Sequence, residues 1–124
     1  MNDRGARNLA RLLATAGITH FVVPGFYDRI VPRVLPGPPR FWTQLSGAAE
    51  LAVAATVAFR PTRREGGALA AALFVAVLPG NLQMAWDYRN RSRAEQLVAY
   101  GRLPLQIPLV VWALRVRAGA VTPD

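Results

Sequence analysis

Apolar residues along this chain gather into four runs, at about residues 8–23, 41–59, 66–86 and 97–116, separated by short arginine-rich stretches. A helix needs about 20 predominantly apolar residues, each rising ~1.5 Å, to cross the hydrocarbon of a bilayer. Each run approaches that length, so the pattern predicts four membrane-crossing helices. Trp42, Trp86 and Tyr88 fall near run ends, where an interfacial aromatic belt would sit. A soluble helical protein is the competing reading. Burying residues 68–78 and three comparable runs within 124 residues would leave that protein too little polar surface.

The segment between the first two runs, residues 24–40, behaves differently. Its prolines at 24, 32, 36, 38 and 39 argue against a continuous helix. Its Phe26, Tyr27, Ile30, Val31, Val34 and Leu35 argue against a solvated linker. A proline-rich re-entrant or interfacial segment meets both constraints. Residues 60–65 read as a tight turn and residues 87–95 as a polar connection. Pro79, Pro104 and Pro108 lie inside spans, where neighbouring helices can satisfy the backbone groups they free. The first run follows Arg4, Arg7 and Arg11 and so invites comparison with a signal peptide. His20 interrupts it, however, and Pro24-Gly25-Phe26 follows where small residues would mark a cleavage site, so it reads as a retained span. The expected fold is all-α: a single transmembrane four-helix bundle over residues 1–124.

Small residues recur at four-residue spacing on run three (Ala68, Ala72, Ala76, Gly80) and run two (Ala54, Ala58). Such stripes let helix backbones approach closely. Packing inside the bundle is the first expectation, and a homo-oligomer the second.

Charge sharpens the picture. The chain carries 15 Lys+Arg, all of them Arg, against 7 Asp+Glu. The arginines punctuate the runs and form no single patch, so they fit the ends of spans in a lipid bilayer and not a nucleic-acid surface. With four spans both termini share a side. That side holds Arg4, Arg7, Arg11, Arg60, Arg63, Arg64, Arg115 and Arg117, one more arginine than the other, which leans the termini of this multi-pass cell-membrane protein to the cytoplasm.

The candidate chemistry is a set of polar residues inside the runs. A carboxylate at mid-membrane is unfavourable by several kcal/mol unless paired, protonated or wetted, and Glu50 lies deep in run two. Arg102 is the one deep charge elsewhere that could answer it. Counting depth along alternating spans puts His20, Ser46, Glu50, Asn81, Arg102 and Gln106 in the half of the bundle nearest the 24–40 segment, with Tyr27 as a cap. The opposite half is mostly Ala, Val, Leu and Phe, apart from its basic ends. This asymmetry predicts a polar pocket beneath the proline-rich segment, with Glu50 and Arg102 as its paired centre. Ion pairing that merely fixes helix register is the bland alternative for those two residues, and hydrogen bonding between helices the bland alternative for His20 and Asn81. There is no cysteine, which excludes disulfides, thiolate catalysis and Cys-ligated clusters within the chain. One His makes a protein-only metal site unexpected. No nucleophile triad or phosphate loop occurs. No catalytic residue is therefore named, and the chain is expected to have no catalytic activity on its own. A membrane-embedded Glu on a small four-span chain also suits a proton-coupled transporter, the alternative function.

Several of these pieces together resemble the DoxX-like (DoxX/DoxD superfamily) four-helix membrane proteins: residues 16–21 followed by Pro24 and Tyr27; Pro32 and Pro36; Ser46-Gly47-Ala48-Ala49-Glu50; Arg60-Pro61-Thr62-Arg63; residues 78–84 with Pro79 and Asn81; and Arg102-Leu103-Pro104-Leu105-Gln106 with Trp112. The resemblance runs from about residue 16 to residue 116. It implies an accessory or anchoring subunit of a membrane-associated redox complex, with a soluble or membrane oxidoreductase subunit as partner. It also implies a small lipophilic ligand such as a quinone, the one cofactor expected, held at His20, Glu50, Asn81, Arg102 and Gln106.

Overall fold

The computed structural model describes residues 3–121, and these are helical apart from short connections. Helix α1 spans Asp3–Val22, α2 Pro24–Asp28, α3 Pro39–Ala58, α4 Arg63–Ala76, α5 Leu78–Asp87 and α6 Arg93–Val121; a 3-10 turn covers Arg60–Thr62. No strand occurs among the described residues. The all-α expectation holds. Two continuous stretches, Arg60–Asp87 and Arg93–Gly119, are long and apolar enough to cross a membrane by length and composition. In α1 and α3, arginines near the start and the polar residues of the pocket side dilute the apolar content.

The boundaries follow local chemistry. Val23 precedes a proline, which disfavours α geometry, and α1 stops at Val22. Proline sits at the start of α2, α3 and α5, where its missing N–H breaks no helical bond. Pro79 splits the third run into α4 and α5 with Val77 between them. α6 begins earlier than the apolar pattern implies, because Ser92 caps it: the Glu95 N–H donates to Ser92 Oγ (3.3 Å), and that hydroxyl donates to the Glu95 carboxylate (3.0 Å). Pro104 and Pro108 stay within α6.

α1 packs on α3, α3 on α4, and α4 on α6, while α5 lies on α6 and α2 on α3. Trp112 Nε1 donates to the Gly5 carbonyl (3.1 Å), tying α6 back to α1. The closest approach in the α1–α3 pair is at Gly17 and Gly47. A Cβ on Gly47 would stand 2.7 Å from the His20 Cβ, and one on Gly17 2.9 Å from Leu51 Cγ.

Two apolar clusters lie at opposite ends. The larger joins Leu9 and Leu13 of α1, Val53 and Val57 of α3, Ala70, Ala71 and Phe74 of α4, and Ala113 and Val116 of α6. The smaller, Ile30, Met84, Tyr88 and Ala99, seats the 24–40 segment against α5 and α6. The alanine stripe departs from expectation. Ala72 is exposed and Ala76 lies on the cavity wall described below, and α4 packs through Gly66, Gly67, Ala70 and Ala71. Gly67 abuts the α6 backbone, where an added Cβ would lie 2.7 Å from the Arg117 N. Arg63 closes the terminal end. It is buried, donates to the last carbonyls of α3 at Val57 (2.8 Å) and Ala58 (3.0 Å), and pairs with Asp3 (3.0 Å). Arg60 hydrogen-bonds the same carboxylate.

Gly47→Ala is expected to destabilise the fold by about 1–3 kcal/mol through overpacking at His20, read as a lower thermal midpoint in detergent. Gly25→Ala, where an added Cβ meets nothing within 4 Å, should leave that midpoint unchanged or raised. Equal midpoints for both variants would contradict the close α1–α3 crossing.

Candidate functional site

A cavity of about 670 Å³ opens beneath the proline-rich segment. Its walls include His20 of α1, Ser46 and Glu50 of α3, Asn81 of α5, and Arg102 and Gln106 of α6. Tyr27, Ile30, Val31, Pro32, Val34 and Leu35 roof it, and Leu13, Leu73, Phe74 and Leu109 reach it from the apolar core. All seven residues singled out by type and depth therefore share one cavity, although they come from five elements.

The connections between them differ from the sequence expectation. Among the described residues Glu50 and Arg102 form no ion pair. Glu50 instead lies beside His20, with Nδ1 3.8 Å from Oε2, and both side chains are buried. Arg102 Nε donates to Asn81 Oδ1 (3.2 Å). The reason is which helices are neighbours. α3 packs on α1, α2 and α4, whereas α6 packs chiefly on α4 and α5, with a smaller contact to α1. Glu50 and Arg102 thus stand on different walls and face a shared space.

Each polar group is oriented by a neighbour. His20 Nδ1 lies 2.7 Å from the Ala16 carbonyl. A carbonyl only accepts, so this nitrogen carries the proton in the assigned tautomer. The imidazole stacks on Tyr27 (centroids 3.7 Å apart, planes at 17°), and the Tyr27 hydroxyl shares a 2.7 Å hydrogen bond with Thr19 Oγ1. Gln106 Nε2 donates to the main-chain carbonyl of Phe74, in the last turn of α4 just before the Pro79 break. The bond ties α6 to the end of α4. Arg102 also lies 5.8 Å from the Phe26 ring centroid. Two enclosed side-chain oxygens lack a hydrogen-bond partner among the described residues: Glu50 Oε2 and Gln106 Oε1.

Sequence reading passed over the residues that hold the roof. Thr43, 2% exposed, donates to Asp28 Oδ1 (2.6 Å), and Arg40 Nε donates to the other oxygen of Asp28 (2.9 Å). Arg33 pairs with Asp87 (2.9 Å), linking the segment to the end of α5. Trp42 lines the cavity and donates through Nε1 to the Pro36 carbonyl (2.7 Å). The usable signal was Asp28 itself, an acid placed among prolines and apolar residues and followed by Arg29 and Arg33. Gly37, at φ 84°, supplies the left-handed turn between Pro36 and Pro38.

The cavity suits binding better than reaction. Its lining is mostly apolar, with a few convergent polar groups, and its volume lies within the roughly 300–1,000 Å³ of small-molecule sites. With this geometry in view, the chain belongs to the family described as a domain of unknown function (DUF8561), which matches residues 9–117. No curated protein and no solved structure matches it.

The lack of native cysteine makes the cavity testable one thiol at a time. Ser46→Cys, on the cavity wall, is expected to react with N-ethylmaleimide roughly tenfold faster than Val57→Cys, which is fully buried in the apolar core. Equal rates would contradict an accessible cavity beside Glu50.

Proposed function

We propose that this DUF8561 protein is an integral membrane protein of four spans whose cavity holds a small lipophilic ligand by its polar head group. Burial supports the membrane part. A core helix of a soluble protein is mostly buried, yet only 28% of the most apolar window in Arg60–Asp87 and 17% of that in Arg93–Gly119 are buried inside the fold. α1 and α3 also turn large apolar side chains outward, among them Ile18, Phe21, Phe41 and Leu45. Contiguous apolar surface of this kind is disfavoured in water and natural in lipid. The spans are α1, α3, the α4–α5 pair and α6, with the 24–40 segment folded over one end as an interfacial cap.

The observation that carries the ligand reading is the cavity itself: an apolar chamber between helices, roofed by aromatic and proline residues, with buried and unpartnered oxygens on Glu50 and Gln106. Leaving such groups unmet costs ~1–3 kcal/mol each, which a bound molecule can recover. Leu12 and Leu105 line the cavity and are also exposed on the outer surface, so a tail could leave between α1 and α6 into lipid. The DoxX-like resemblance adds the context of an accessory or anchoring subunit beside a membrane oxidoreductase, and a quinone-like molecule as one occupant.

Two measurements follow. Protease-accessible tags at the two ends should be cut from the same side of sealed vesicles; cutting from opposite sides would contradict four spans. The chain purified from native membranes in mild detergent should carry one lipophile near one-to-one by mass spectrometry, and Glu50→Gln should lose most of it while still folding. Bulk lipid alone in both proteins would contradict the ligand reading. The same null together with proton-coupled export of an ethidium-like cation, abolished by Glu50→Gln, would favour transport instead.

A further inference from the structure

The Phe74 carbonyl dictates which end of the Gln106 amide faces it. Because that carbonyl only accepts, Gln106 must present Nε2, and its Oε1 is left as an acceptor. This oxygen is buried and unpartnered among the described residues. On the facing wall Glu50 Oε2 is in the same condition, because the nearest donor, His20 Nδ1, is committed to the Ala16 carbonyl. In either proton state the Glu50 carboxyl retains acceptor capacity. The wall therefore carries acceptors in search of donors.

Arg102 adds a second constraint. It lies four residues before Gln106 on α6, so the two share a face. Its Nε is taken by Asn81, and among the described residues no hydrogen bond occupies its Nη atoms. A head group meeting both residues must accept from a cation and donate to an amide oxygen. A carbonyl only accepts and would leave Gln106 Oε1 unmet. An ammonium only donates and would stand against the Arg102 charge. A hydroxyl does both.

Building on the pocket reading above, we propose that the cavity selects a neutral lipophile bearing a hydroxyl head group, an alcohol or phenol, that donates to Gln106 Oε1 and accepts from Arg102. A second hydroxyl, where present, would donate to Glu50.

The test is equilibrium dialysis of the full chain in lipid nanodiscs, with empty nanodiscs as the partition control. The probes are para-hexylphenol and its methyl ether, which share ring and tail and differ by a donor replaced with a methyl group. The phenol is expected to bind about tenfold more tightly, the effect of one buried hydrogen bond. Gln106→Met should bring the two probes close to equal. Equal binding to the unmodified chain would overturn the donor inference while leaving the pocket reading intact. Retention of neither probe above empty discs would count against both. A phenol preference that survives Gln106→Met would also overturn the assignment to Gln106. Should that variant fail to fold, the ratio measured on the unmodified chain decides alone.

Discussion

The contact between Gly17 on α1 and Gly47 on α3 sets the geometry on which the polar half of the fold depends. With no side chain at either position, the two backbones pass close enough that an added Cβ would collide with its neighbours. On the membrane reading proposed above, where lipid supplies no hydrophobic drive between helices, close packing of small residues takes its place. The two helices cross antiparallel, with His20 beside Gly47 and Leu51 beside Gly17, and His20 Nδ1 stands 3.8 Å from Glu50 Oε2. The deepest carboxylate of the chain is thereby turned inward, away from the surface that large apolar side chains cover.

The opposite wall is set by proline. Pro79 ends α4 early, and Gln106 donates to a carbonyl of its last turn. That bond fixes α6 against α4 at the level of Glu50 and spends the donor end of the amide. Asn81, two residues past Pro79, takes Arg102. Between a glycine crossing on one side and a proline break on the other, the helices leave a chamber, and the 24–40 segment closes its end through Tyr27 on His20 and Asp28 on Thr43 and Arg40. The terminal half has no such interruptions and packs as a continuous apolar core, closed by Arg63 across the end of α3.

Much of this was legible in the sequence, for identifiable reasons. Helical character followed from long apolar runs, and the gathering of polar residues in one half followed from depth counting, which needs only direction of travel and rise per residue. Pairing was not legible. Depth placed Glu50 and Arg102 within reach of each other, but contact depends on which helices are neighbours, and α3 and α6 lie on different sides of the cavity. The alanine stripe misled for a related reason. Alanine is so common in run three that several stripes exist, and the buried one is set by Gly66 and Gly67 against α3 and α6. The start of α6 was readable from Ser92 and Glu95, but the polar character of residues 87–95 masked the Ser92 cap.

The most direct test of the central claim is an experimental structure of the chain in nanodiscs formed from its native membranes. The account predicts density for one bound molecule in the cavity, its head between Glu50 and the Arg102–Gln106 face and its tail directed out past Leu12 and Leu105. A cavity collapsed onto itself, with Glu50 paired directly to Arg102, would contradict it.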